Sequence, residues 1–70
     1  MNNIEQRQRM GNEIAEMRKK KGLTQGELAE RCGMAQNHIS RIEKGYYSFG
    51  FDILQAVAEA MDCSITIAEK

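Results

Sequence analysis

The chain has no proline and no tryptophan, a single histidine and only two cysteines among its 70 residues. Without proline, nothing in it must break a helix or remove a backbone donor. Cys32 and Cys63 are too few for a disulfide framework, and with His38 they show no zinc-finger spacing, so no metal and no cofactor is expected. Both thiols read as small apolar side chains in a reducing compartment. No apolar run approaches the roughly 20 residues that span a bilayer, and Met1–Gln6 lacks the basic and apolar stretches of a signal peptide. A cytoplasmic protein with no membrane partner is therefore expected. Catalysis is not expected either. One histidine assembles no Ser/His/Asp or Cys/His set, no glycine loop cradles a phosphate, and so short a chain encloses little pocket.

Net charge is also lacking: ten Lys and Arg balance ten Asp and Glu. The balance is uneven along the chain. Residues 1–50 carry nine basic against six acidic side chains, and residues 51–70 carry one against four. A partner within a Debye length of about 10 Å feels the local field, so the first fifty residues permit polyanion binding without demanding it. The 29% charged and 6% aromatic fractions suit one small globular domain. A domain of this size buries only about 60% of the surface of its unfolded chain, and dimerisation would add to its stability.

What is present is helical periodicity. Met10, Ile14 and Met17 form one stripe of a helix that runs to Lys20 or Lys21, with Gly22 at its end and lysines in its last turn. Thr24-Gln25-Gly26-Glu27 is a capping box that opens a short second helix burying Leu28, Ala29 and Cys32, and Gly33 stops it. A third helix follows, with Ile39 and Ile42 inward, Gln36, Asn37, Ser40, Arg41 and Lys44 on the outer arc, and Gly45 as its terminator. Residues 46–50 read as a loop in which Ser48 or Gly50 is available as an N-cap. The fourth helix presents Phe51, Leu54, Val57, Ala58 and Met61 on one side. The ending alternates instead: Cys63, Ile65 and Ile67 against Ser64, Thr66 and Ala68 read as a strand. A lone strand either pairs with its copy in a second chain or frays, and the dimer is the favoured expectation, with Cys63, Ile65 and Ile67 as its dimerisation residues.

Ala29, Gly33 and Ile39, at offsets of four and six, describe a helix-turn-helix whose second helix is pushed outward. A protruding helix fits the major groove of B-DNA, which is about 12 Å wide. The run Thr24-Gln25-x-Glu27-Leu28-Ala29-Glu30-x-x-Gly33-Met34-x-Gln36-x-x-Ile39-Ser40-Arg41-Ile42-Glu43-x-Gly45 resembles the phage-repressor-like (Cro/XRE-type) helix-turn-helix family over about residues 10–62. The resemblance implies an all-α, compact four- to five-helix bundle of lambda-repressor-like type, to which the alternating residues add a short C-terminal β-strand. Residues 1–62 would form the DNA-binding domain, with its helix-turn-helix unit at 25–44, and 63–70 the dimerisation strand.

The resemblance assigns base-edge contact to Gln36, Asn37 and Arg41, with Ser40 as a lesser candidate. The chemistry agrees independently: Gln and Asn pair bidentately with adenine and Arg with guanine. Gln25 would meet a phosphate at the start of the second helix, where backbone amides favour anions. Arg9, Lys19, Lys44, Tyr46 and Tyr47 are further phosphate candidates. Arg18 and Glu43 match a partly buried ion pair that links the first and third helices in this family. Ala35 departs from the usual Ser or Thr cap of the recognition helix, and Gly26 from a better helix former. The implied function is a sequence-specific transcriptional regulator, a homodimeric repressor on a near-palindromic double-stranded DNA operator. One variant is the autoregulating antitoxin of a toxin–antitoxin pair, with a toxin protein as partner, because antitoxins of the HigA/HipB type share this helical body. The alternative is a protein-interaction module of the same fold without specific DNA binding.

Overall fold

The structure is a computed structural model, and it describes residues 3–46 and 49–67. Its order is α1 (Asn3–Lys20), α2 (Gln25–Cys32), α3 (Gln36–Lys44) and α4 (Phe51–Ala60). α1 starts well before its apolar stripe. Residues 4–9 are mostly Glu, Gln and Arg, whose unbranched side chains lose little freedom in a helix, so propensity extends the element although none of these residues is fully buried.

The capping box of α2 is complete. The Glu27 amide donates to Thr24 Oγ1 at 3.1 Å, and the Thr24 amide donates to Glu27 Oε1 at 2.9 Å. The bond from the Thr24 amide foremost, and the Thr24 hydroxyl after it, hold the Glu27 carboxyl below the ordinary carboxylate value. α3 has no such help, because Ala35 at its N-cap carries no side-chain acceptor. The helices end alike, with paired backbone bonds that reach back over the last turn. At the α2–α3 turn the Gly33 amide reaches Glu30 O at 3.2 Å and the Met34 amide reaches Ala29 O at 2.9 Å. This geometry sets Gly33 at φ 70°, which a glycine adopts without strain. After α4 the same left-handed place is taken by Asp62, at φ 58°.

Leu28, Ile39, Ile42 and Val57 are the largest fully buried side chains, joined by Ile14, Leu23, Ala29 and Met61. α3 packs on α1 and α2, and α2 packs on α4. Arg31 adds a tie from α2 by donating to Ala60 O at 3.2 Å. Three expectations differ from the structure. Phe51 does not join the core stripe of α4; it is 66% exposed, and Phe49 packs against the core instead. The chain has its four helices and no fifth among the described residues, and residues 63–67 form no strand. A period of two marks residues suited to a sheet, but a single chain with no other strand offers no ladder to complete it. Ala68, the last residue of that alternation, lies outside the described residues. No helix is long and apolar enough to cross a membrane among the residues described.

Candidate nucleic-acid interface

α3 has two unlike faces. Ile39 and Ile42 are completely buried, whereas Gln36, Asn37, Arg41 and Lys44 are exposed, and Ser40 is half-buried. Asn37, Arg41 and Lys44 follow at i, i+4 and i+7, so they line one outward ridge, with Gln36 and Ser40 beside it. Glu43 is the helix's sole carboxylate, and it is turned inward and buried. The outer arc therefore presents amides, a hydroxyl and two cations with no acid among them, a composition suited to base edges and phosphates.

The inward Glu43 anchors α3. Arg18 Nε donates to Glu43 Oε2 at 2.7 Å and Arg18 Nη2 to Glu43 Oε1 at 3.1 Å, a bidentate pair between α1 and α3. Arg18 Nη1 also donates to the Leu23 carbonyl at 2.9 Å, just ahead of α2. Gln25 Nε2 adds a bond to Glu43 Oε1 at 2.9 Å. One carboxylate thus fixes α1, the start of α2 and α3 relative to one another. The geometry gives the Gln25 side chain an inward partner. Thr24 is exposed at this point and Gln25 half-buried, at the N-terminal end of α2 where backbone amides carry the positive end of the dipole.

The first turns of α2 and α3 lie side by side. A methyl group at Gly26 would sit 3.4 Å from Gln36 Oε1, in ordinary contact with a flexible side chain. At the other end of α3, Lys44 Nζ stands 5.7 Å from the Tyr46 ring centroid, so the charge is held over an exposed aromatic face. Lys19 is exposed in the last turn of α1. Arg9 is exposed on α1, where it borders an open stretch with Glu5, Gln8, Asn12, Glu13 and Glu16. Tyr47 lies outside the described residues. Cys63 is half-buried, and Ile65 and Ile67 are exposed.

Sequence reasoning missed Gly11. A Cβ there would overlap the Glu43 carbonyl oxygen and lie 2.6 Å from Ile42 O, so α1 and α3 touch backbone to backbone. A glycine inside an otherwise helical run was the available signal. Gly45 repeats the contact one turn on, where a Cβ would stand 2.8 Å from the Gln8 amide nitrogen.

A family model described as helix-turn-helix matches residues 14–67. An uncharacterized HTH-type transcriptional regulator of Methanothermobacter thermautotrophicus is 46% identical over 48 residues, covering 69% of this chain and 70% of that protein. The HTH-type regulator y4dL of Sinorhizobium fredii is 44% identical over 48 residues, 69% of this chain but 24% of its own, so the chain spans about a quarter of that relative's length. The immunity repressor of Bacillus phage phi105 is 32% identical over 57 residues, which is 81% of this chain and 40% of that protein. Among solved structures, the clp gene regulator ClgR of C. glutamicum superposes with a TM-score of 0.82 at 29% identity, covering 84% of this chain and 76% of that one.

Proposed function

The chain belongs to the Cro/XRE-type helix-turn-helix family of transcriptional regulators, and from that premise we propose that it is a sequence-specific repressor acting as a homodimer on a near-palindromic operator. The observation that carries this reading is the division of α3 into a wholly buried apolar face and an acid-free outer arc of Gln36, Asn37, Ser40, Arg41 and Lys44. Laid in the major groove, that arc turns carboxamides toward adenine N6/N7 and the Arg41 guanidinium toward guanine O6/N7. The N-terminal end of α2 at Gln25 takes a backbone phosphate, with Lys19, Lys44 and Tyr46 as outlying phosphate contacts. In a dimer, the two α3 helices read half-sites about one helical turn apart. Repression follows when such a site overlaps a promoter, and the likeness to a phage immunity repressor supports that sense of regulation.

The test is Arg41→Ala, because Arg41 is exposed and its removal leaves the core intact. Affinity for the specific duplex should fall about 5- to 150-fold, the equivalent of roughly 1–3 kcal/mol, and selectivity should relax at one base position. Binding to random DNA should fall far less. Equal losses on both duplexes, measured by fluorescence anisotropy at one salt concentration, would remove Arg41 from base readout.

A further inference from the structure

Gln36 opens α3 at the seam with α2, and its side chain leans across that seam. An ideal Cβ on Gly26 would lie 3.4 Å from Gln36 Oε1 and 3.8 Å from Gln36 Cδ, with Thr24 Oγ1 next at 3.9 Å. The part of Gln36 nearest to this position is therefore its carboxamide, the group that would meet a base edge. Gly26 is half-buried and Gln36 exposed, so the contact lies at the surface, beside the ridge of Asn37, Arg41 and Lys44. The wall behind the carboxamide is fixed. Thr24 and Glu27 are locked by their reciprocal bonds, and the neighbouring Gln25 is tied to Glu43 of α3 at 2.9 Å. A glutamine free in solvent loses rotamer freedom when it meets a base, and a seat on a rigid wall reduces that loss.

Gly26 itself needs a reason, because glycine is a poor helix former. Backbone conformation does not supply one: the glycines at positive φ are 22, 33 and 45. Close approach of two backbones does not supply one either, since the three atoms nearest to its ideal Cβ all belong to side chains. What the bare Cα leaves is room for the end of Gln36. We propose that Gly26 is a positioning residue for base readout, whose missing side chain seats the Gln36 carboxamide and so fixes which base edge Gln36 meets. This rests on the reading of α3 as the helix that reads DNA, and it adds a determinant of specificity that lies on α2 and touches no base. Alanine at this position would bring only a methyl group in ordinary contact with the carboxamide. Valine fills two of the three staggered directions beyond Cβ and is stiff in a helix, so it pushes the carboxamide off its seat.

The experiment uses the full chain and a set of duplexes that differ by one base pair at a time from the site the wild type selects. Gln36→Ala identifies the base pair that Gln36 reads. Gly26→Val should weaken the preference at that same base pair by about fivefold or more and leave the one lost in Arg41→Ala intact. Combined with Gln36→Ala it should add little, because both changes remove one contact. Gly26→Ala should restore most of the preference. Valine is no worse a helix former than glycine, so circular dichroism and melt should stay close to wild type. A full preference in Gly26→Val, a loss spread evenly over all base pairs, or a loss that adds in full to that of Gln36→Ala overturns the proposal. So does a Gln36→Ala variant that keeps every preference. In the free wild-type protein, nuclear Overhauser contacts between the Gly26 α protons and the Gln36 side chain are expected, and their absence overturns the seat without any DNA. A wild-type chain that selects no motif overturns the reading of α3 and this inference with it. A selected motif that Gly26→Val leaves intact overturns the inference alone.

Discussion

Replacing Arg18 with alanine should leave the protein largely unfolded, or lower its melting temperature by roughly 15 °C or more. The side chain is 11% exposed and makes two bonds to the buried Glu43 carboxylate and one to the Leu23 carbonyl. Its loss strands a charge and a carbonyl at once. Breaking one half of a buried pair costs about 3–5 kcal/mol, which is comparable to the whole stability of a domain this small. Each kcal/mol moves the melt by about 4–8 °C at this size. Thermal unfolding followed by circular dichroism checks the effect, and a melt within a few degrees of wild type would mean that solvent reaches Glu43. The double variant Arg18→Met with Glu43→Met should recover part of the loss, because apolar replacement removes the stranded charge. It should not recover all of it, since the Leu23 carbonyl and the Gln25 amide lose their partners.

The second large effect belongs to Gly11→Ala, a change that sequence patterning would score as favourable. Alanine is the better helix former by about 1 kcal/mol. Here the new methyl meets backbone, the carbonyls of Ile42 and Glu43, and neither can rotate away as a side chain would. α1 and α3 must separate, at a cost of about 1–3 kcal/mol or more, and the outward arc of α3 moves with them. The melt should fall by roughly 10 °C, and specific DNA affinity should fall too. Gly26→Ala is the matched control: its methyl has room against Gln36, so the propensity gain should survive and the melt should hold or rise. A drop for both variants, or for neither, would contradict the close crossing at Gly11.

These two residues also mark where the sequence was legible and where it was not. The helix-turn-helix was readable because its signals are local. A capping box at Thr24–Glu27, glycines at 33 and 45, and the i, i+3 pair Ile39/Ile42 each act within one or two turns. Arg18 and Glu43, 25 residues apart, could be paired only through the family resemblance, because no local spacing joins them. Gly11 was overlooked because periodicity reports which face is buried and not how closely two backbones approach. The C-terminal alternation misled for a related reason. β-branched residues at a period of two describe a surface suited to a sheet, and whether a sheet forms depends on a partner strand that residues 3–46 and 49–67 do not contain. Phe51 misled by position, since the first residue of α4 stands outside the core that Phe49 helps to close.

The central claim is that the outer arc of α3 reads base sequence, and it is tested most directly by selection. A pool of duplexes with random cores is bound to the wild-type chain, the bound fraction is recovered and amplified over successive rounds, and the survivors are sequenced. The account predicts enrichment of one near-palindromic motif with half-sites about one helical turn apart, and loss of one guanine preference in each half-site when Arg41→Ala is used instead. Survivors with no shared motif, drawn from a pool that the protein binds only in proportion to falling salt, would contradict it.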